Sequence, residues 1–213
     1  MTRTLHHVLL GVLATVTLLP GTAFAQAATA ARPAAEPAAD TLTPQERDAL
    51  TAAEQLAAES TQVLEQWVTS QAVSEDRLFA RLYFPIAKTD PVKFSTAYDA
   101  LAERDVVAIE DKLLARSPTF QYAILTDING YVPAHNQRFA QALTGNAAQD
   151  YVNNRSKRLL ADLPSLSAAR NEAHYLVQRT RLETGDVIYD VSVPVIVRGK
   201  HWGCARIGYR RAE

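Results

Sequence analysis

The stretch VIYDVSVPVIVRGKHWGCARIGY, residues 187–209, indicates the fold class of this chain. Its two runs Val187–Val197 and His201–Tyr209 are rich in residues that favour strands, and only Arg198-Gly199-Lys200 separates them. A short separator that contains glycine suits a hairpin turn. A similar run, Tyr175–Arg181, precedes them across another short glycine-containing turn. Three antiparallel strands are therefore predicted near the C-terminal end.

Two further strands are predicted upstream. The runs Phe120–Thr126 and Tyr131–Ala134 flank Asp127-Ile128-Asn129-Gly130, whose Asn-Gly pair tolerates the positive φ angles of a tight hairpin. Residues 146–161 have a helical pattern instead, and they form a predicted insertion between the second and third strands.

A long helix is predicted in front of the sheet. Thr43-Pro44-Gln45-Glu46 is a capping box with proline in the first turn. From there to Ala72 there is neither glycine nor further proline, and small or apolar residues recur every three or four positions: Leu50, Ala53, Ala57, Ser60, Leu64 and Trp67. A helix of roughly 30 residues is about 45 Å long, more than one small domain covers. Its exposed end is therefore expected either to pack against a partner, most simply a second copy in a homodimer, or to stand in solvent. Shorter helices are predicted from Ser74 to Tyr83 and from Asp90-Pro91 to Ser117.

These elements predict an α+β fold, in which the long N-terminal helix packs on a five-stranded, mostly antiparallel sheet. Residues 43–213 form this single domain. Of the 213 residues, 47% are hydrophobic and 21% are charged, a globular composition that excludes collagen-like and wholly disordered chains.

The first 25 residues have the pattern of a secretory signal. Arg3 precedes the uncharged apolar run Val8–Leu19, and Ala23-Phe24-Ala25 provides a cleavage motif. We expect cleavage before Gln26 and a periplasmic location; an uncleaved membrane anchor is the alternative. The Ala- and Pro-rich residues 26–42 are interpreted as a disordered spacer.

Charge is unevenly distributed along the chain. Residues 26–134 contain 9 basic and 16 acidic side chains, whereas residues 135–213 contain 12 basic and 7 acidic ones. The near balance overall gives no drive toward nucleic acid, but an anion is better accommodated by the C-terminal part. The motifs of common hydrolases, metalloproteases and phosphate-binding loops are absent from the sequence, so we expect a non-enzymatic protein. The single cysteine, Cys204, provides no disulfide and no covalent haem site, and no cofactor is expected.

Several motifs together carry a resemblance to a known family. They occur between Phe79 and Tyr209 and comprise Tyr83-Phe84-Pro85-Ile86, Lys93-Phe94-Ser95-Thr96, Asp127–Asn136, Asn154-Arg155 with Lys157-Arg158, Arg170-Asn171, Asp190 with Ser192 and Pro194, His201-Trp202-Gly203 and Arg206–Tyr209. In this order and spacing the chain resembles the single Cache, PAS-like extracytoplasmic sensing domain of bacterial methyl-accepting chemotaxis receptors.

The resemblance implies a small-molecule pocket between the sheet and the segment that links strands two and three. The receptors continue into a second membrane helix and a cytoplasmic signalling region, whereas this sequence stops at Glu213. We therefore expect a stand-alone sensor module that passes its ligand state to a separate membrane signalling protein.

Six residues are candidate ligand contacts. Tyr131, His135 and Asn136 follow the first predicted turn, and imidazole and carboxamide groups both donate and accept hydrogen bonds. His135 and Asn136 have the alternative role of stabilising their loop. Arg155 and Arg158 would share a helix face and converge on a carboxylate or phosphate, unless they are solvated or pair with acids.

The sixth candidate, Asp190, lies mid-strand, where it binds a ligand amine or pairs with an arginine. Two rival functions stay open: a structural protein that uses the long helix as its working surface, and a sensor that binds haem without a covalent link through a histidine.

Overall fold

The computed structural model describes residues 42–181 and 185–211. The predicted signal peptide and residues 26–41 of the predicted spacer lie outside the described residues. Leu42, the last residue of that spacer, is buried in the main core. The helices are α1 (Pro44–Thr69), α2 (Glu75–Phe79), α3 (Asp99–Asp105), α4 (Val107–Leu114), α5 (Ala147–Asn153) and α6 (Leu163–Ala169). The strands are β1 (Phe84–Ile86), β2 (Lys93–Ser95), β3 (Phe120–Asp127), β4 (Tyr131–Val132), β5 (Arg158–Leu159), β6 (Leu176–Arg181), β7 (Val187–Val197) and β8 (Lys200–Tyr209).

The long N-terminal helix is confirmed, with 26 residues. Its capping box is formed: the Thr43 N–H donates to Glu46 Oε2 at 2.7 Å, and the Glu46 N–H donates to Thr43 Oγ1 at 3.2 Å. The predicted apolar stripe is buried from Leu50 to Trp67 against β7, β8 and α4. Burying each large side chain in this stripe contributes about 1.5–3 kcal/mol. The stripe is therefore covered within the chain, and the opposite face of α1 is polar.

The main sheet is antiparallel and has the strand order β3-β8-β7-β6. The β7–β8 hairpin is as predicted: Arg198 and Gly199 have φ angles of 54° and 71°, the two consecutive positive values of a tight hairpin turn. α1 packs on one face of this sheet and α6 lies on the other face.

The prediction that this sheet has a fifth strand is wrong. β4 pairs with β5 and forms a separate two-stranded sheet. The turn before it has one positive φ, 79° at Gly130, so the chain bends away from β3 instead of doubling back along it. Side chains occupy the β3 edge: the Ala123 N–H donates to Asn136 Oδ1 at 3.0 Å, and the Leu125 N–H donates to Glu110 Oε1 at 3.0 Å. These contacts use the groups with which another strand would pair.

The helix predicted over residues 146–161 ends at Asn153. Asn154 is extended and forms a β-bridge with Ala140, and Lys157 has a φ of 60°. Arg155 and Arg158 therefore do not share a helix face, contrary to the prediction.

The helix predicted from Asp90-Pro91 is also shorter than expected. It is preceded by β2 and divided into α3 and α4, which meet at Val106. Within residues 42–181 and 185–211, no helix has both the length and the apolar character needed to cross a membrane.

Candidate ligand-binding site

The region expected to hold a ligand lies beside His135, at the start of the segment that leaves β4 and returns through β5. The His135 side chain is 4% exposed and lies edge-on to the rings of Tyr122 and Phe139, with ring centroids 6.5 Å and 5.1 Å away. Its Nδ1 atom is buried and has no hydrogen-bond partner among the described residues.

The charges of four cationic side chains act on this imidazole: the buried Lys93, the half-buried Arg155 and Arg158, and the exposed Arg138. We call them the basic cluster. Burial, and then the positive charges of this cluster, hold the pKa of His135 well below its usual range. His135 is therefore neutral at pH 7, and one of its two ring nitrogens carries a proton that it can donate.

Aromatic rings and backbone carbonyl groups hold the arginines of the cluster in place. The Arg155 and Arg138 guanidinium carbons lie 4.2 Å and 4.6 Å from the Phe139 ring centroid, and that of Arg158 lies 4.6 Å from the Tyr151 ring. Arg158 Nη2 donates to the carbonyl oxygens of Asp150, Tyr151 and Asn154 at the end of α5, at 2.7–3.2 Å. Cation–π contacts of this kind orient a guanidinium without neutralising it.

Lys93 anchors the loop between α5 and β5. It is 3% exposed, and its Nζ donates to the carbonyl and side-chain oxygens of Asn154 at 3.1 Å and 2.6 Å and to the Ser156 carbonyl at 2.6 Å. Burial, and then the charges of Arg158 and Lys157, lower the pKa of Lys93 to about 8. This ammonium group thus donates to neutral oxygens, and the charge of Asp150 acts on it without an ion pair between the two groups.

Carboxylates near the cluster are used in other contacts. Asp150 accepts hydrogen bonds from the Thr144 N–H and hydroxyl and from the Gly145 N–H, and Asp111 accepts from Asn136 Nδ2 and the Gln137 N–H. Within the described part of the chain, Lys93, Arg138 and Arg155 form no ion pair with a carboxylate. These three side chains therefore contribute positive charge that is not held in an ion pair.

The structure brings together three of the six predicted residues, His135, Arg155 and Arg158. The Asn136 side chain instead accepts from the Ala123 N–H at the β3 edge and donates to Asp111. These contacts give it the loop-stabilising role that was its alternative. The Tyr131 hydroxyl donates to the Phe94 carbonyl at 2.9 Å and to Asp99 Oδ1 at 2.8 Å. Asn136 and Tyr131 therefore direct their polar groups into internal contacts.

Asp190 lies on the face of the sheet opposite α1 and pairs with Arg206, the arginine-pairing alternative considered from the sequence. Asp190 Oδ2 accepts from Arg206 Nε at 2.8 Å, from Arg206 Nη2 and from the Tyr122 hydroxyl at 2.9 Å. The two charged side chains are 1% and 3% exposed. Tyr122 thereby links this pair to His135, whose ring its own ring contacts.

Sequence reasoning missed Lys93, Arg138, Tyr122 and Arg206. Alternation along the strands could have identified Tyr122 and Arg206, because Arg206 lies across from Ile124 and Tyr122 across from Gly208 on the side of the sheet that carries Asp190. Gly208 makes room for this tyrosine, since a Cβ there would be 2.3 Å from Tyr122 Cε1. Lys93 gave no such signal, because only distant contacts bury it, and Arg138 is an exposed residue whose guanidinium lies over the neighbouring Phe139 ring.

An open cleft of about 530 Å³ lies near the C-terminal end of α4, and it shares Arg138 with the basic cluster. It is lined by Asp111, Leu114, Ala115, Ser117, Pro118, Phe120, Gln137 and Arg138. Among the described residues, no group of three or more His, Cys, Asp or Glu side chains is arranged to hold a metal ion.

Comparisons with known proteins do not identify a family for this chain. No protein-family model and no curated protein matches it. A solved structure described as an extracellular ligand binding receptor from Desulfohalobium retbaense matches with a TM-score of 0.37 and 13% sequence identity. The match covers 73% of this chain and 24% of that receptor chain, and a similarity at this level assigns neither a ligand nor a function.

Proposed function

We propose that this protein is a non-enzymatic, single Cache-type sensor module of the periplasm, and that it binds a small anionic molecule at the basic cluster. The observation that carries the proposal is that Lys93, Arg138 and Arg155, which form no ion pair with a carboxylate of the described residues, lie near the neutral imidazole of His135, whose buried Nδ1 has no partner there. The motif resemblance to chemotaxis receptors supports the sensing role.

Electrostatics favours an anion at this place. Like charges that lie close together repel one another, and burial raises the energy of the Lys93 and Arg155 charges. A carboxylate or phosphate beside Arg155 and His135 reduces both costs. It accepts hydrogen bonds from a guanidinium group that stacking on Phe139 has already oriented, and from the imidazole N–H.

The proposal includes an output step. The ligand state passes to a separate membrane signalling protein, and homodimerisation through α1 is part of this scheme. The apolar stripe of α1 is covered within the chain, so such contacts use its polar outer face, which includes Thr51, Gln55, Gln62 and Gln66. In this scheme the ligand and the signalling partner thus bind on opposite sides of the sheet.

A thermal-shift screen with acetate, butyrate, succinate and inorganic phosphate tests the binding step. A ligand present at 100 times its Kd stabilises the folded protein by about 2.7 kcal/mol. For a domain of this size that raises the Tm by about 5–10 °C.

Matched variants identify the site. Arg155→Met is expected to abolish the shift, whereas Arg198→Met keeps it, because Arg198 is exposed and pairs with Glu65 away from the cluster. Circular dichroism verifies that both variants are folded. The proposal is refuted if no anion stabilises the wild-type protein, or if Arg155→Met responds like the wild type.

A further inference from the structure

A second set of buried polar atoms lies beside the Asp190–Arg206 pair. Three donor groups converge on Asp190 Oδ2, and Oδ1 of the same carboxylate has no partner among the described residues. Ser192 lies two residues further along β7, on the same face, and its buried Oγ is also without a partner. The large majority of buried polar atoms in proteins have a hydrogen-bond partner, so two unpaired ones on the same face of one strand call for an explanation.

These atoms differ chemically from the basic cluster. Arg206 already balances the charge of Asp190, so Oδ1 attracts a hydrogen-bond donor and does not require a full positive charge. The Ser192 hydroxyl can both donate and accept. The site therefore suits a hydroxyl or an amino group.

Tyr122 contacts a member of each set of polar groups. Its ring contacts His135, with centroids 6.5 Å apart, while its hydroxyl donates to Asp190 at 2.9 Å. A ligand in contact with both sets would therefore have one end at His135 and Arg155 and the other at Asp190 and Ser192.

We infer that the ligand is a small carboxylate with a hydroxyl or amino group at its far end, and that Asp190 Oδ1 and Ser192 Oγ bind this donor. The inference rests on the proposed anion-binding function and adds the class of ligand to it. A donor next to the carboxylate does not reach β7, because the length of the tyrosine ring separates the two ends.

Four probes with the same four-carbon chain test this inference by calorimetric titration: butyrate, 2-hydroxybutyrate, 4-hydroxybutyrate and 4-aminobutyrate. At least one of the two probes with a terminal donor is expected to bind about tenfold or more tightly than butyrate, as for a hydrogen bond to a charged group. The comparison of 4-hydroxybutyrate with 4-aminobutyrate shows which donor is preferred. 2-Hydroxybutyrate is expected to bind like butyrate.

Ser192→Ala separates ligand recognition from a purely structural role. Removing an unpaired buried hydroxyl leaves the Tm of the ligand-free protein unchanged or raises it. The same variant is expected to weaken binding of the probe with a terminal donor at least threefold and to leave butyrate binding unchanged.

The possible outcomes distinguish this inference from the proposed function. If butyrate binds as tightly as both probes with a terminal donor, or if Ser192→Ala retains the wild-type preference, the inference is refuted and anion binding stands. In that case internal water is the hydrogen-bond partner of Asp190 Oδ1 and Ser192 Oγ. If none of the four probes binds and inorganic phosphate does not bind either, the proposed function fails as well.

Discussion

Replacing Arg206 with methionine is expected to be among the most destabilising changes in this protein. The substitution keeps a long side chain but leaves the Asp190 carboxylate, 1% exposed, without its cationic partner. Removing one partner of a buried ion pair costs about 3–5 kcal/mol, because the remaining charge is desolvated and unpaired. Of the three donor groups on Asp190 Oδ2, only the Tyr122 hydroxyl would remain.

Urea denaturation followed by circular dichroism measures this loss as a change in the free energy of unfolding. The double variant Asp190→Asn with Arg206→Met removes both charges, so it is expected to be at least about 1 kcal/mol more stable than Arg206→Met alone. A double-mutant cycle with Asp190→Asn gives the coupling energy directly.

An exposed ion pair provides the control. Arg210 pairs with Asp186 at 2.8 Å, and their side chains are 53% and 48% exposed. Arg210→Met is expected to cost no more than about 1 kcal/mol. A loss below about 1 kcal/mol for Arg206→Met, or a double variant less stable than Arg206→Met, would contradict the burial argument.

Three further predictions concern other parts of the molecule. Burial raises the pKa of Glu110 well above its usual range, so the free energy of unfolding should fall as pH rises from about 4.3 toward the folded-state pKa. In urea titrations Glu110→Gln should flatten this pH dependence, and an unchanged slope in the variant would contradict the prediction. A Cβ at Gly203 would lie 2.0 Å from the Thr126 carbonyl oxygen, so Gly203→Ala should lower the free energy of unfolding by about 3 kcal/mol or more in the same assay. A decrease below about 1 kcal/mol would show that the strands adapt to the added methyl group. The pKa of Lys93 is lowered to about 8, and a bound anion favours its charged form, so anion affinity should decrease as pH rises through 8. Lys93→Met should abolish that decrease. A decrease that persists in the variant would exclude Lys93 as its cause.

Local sequence was sufficient where a structure depends on neighbouring residues. The capping box at Thr43 formed as predicted because its partners are three residues apart. The Arg198-Gly199 hairpin formed because both residues adopt positive φ angles. Asn129-Gly130 looked equivalent, but the chain turned away there because the buried Asp127 carboxylate accepts the N–H groups of Asn129 and Tyr131 and thereby shapes the turn.

The candidate site could be predicted only in part, because distant contacts assemble it. His135 was identifiable from its place after the first predicted turn, and Arg155 from the group of cations on the helix predicted over residues 146–161. Their geometry depends on Lys93, which reaches across 61 residues of sequence to hold the Asn154 loop. No periodicity in the sequence encodes a contact of this range, so a helix was predicted where that loop lies.

The sequence alone determined the long N-terminal helix, the C-terminal hairpin and the uneven distribution of charge. These follow from caps, turn residues and composition, all of which act over a few residues. Only the tertiary structure decided that the main sheet has four strands, that Asn136 and Glu110 cover its β3 edge, and that Asp190 pairs with Arg206. The physical reason is that burial sets the energy of a charge or an unpaired polar group, and burial arises only when distant segments pack together.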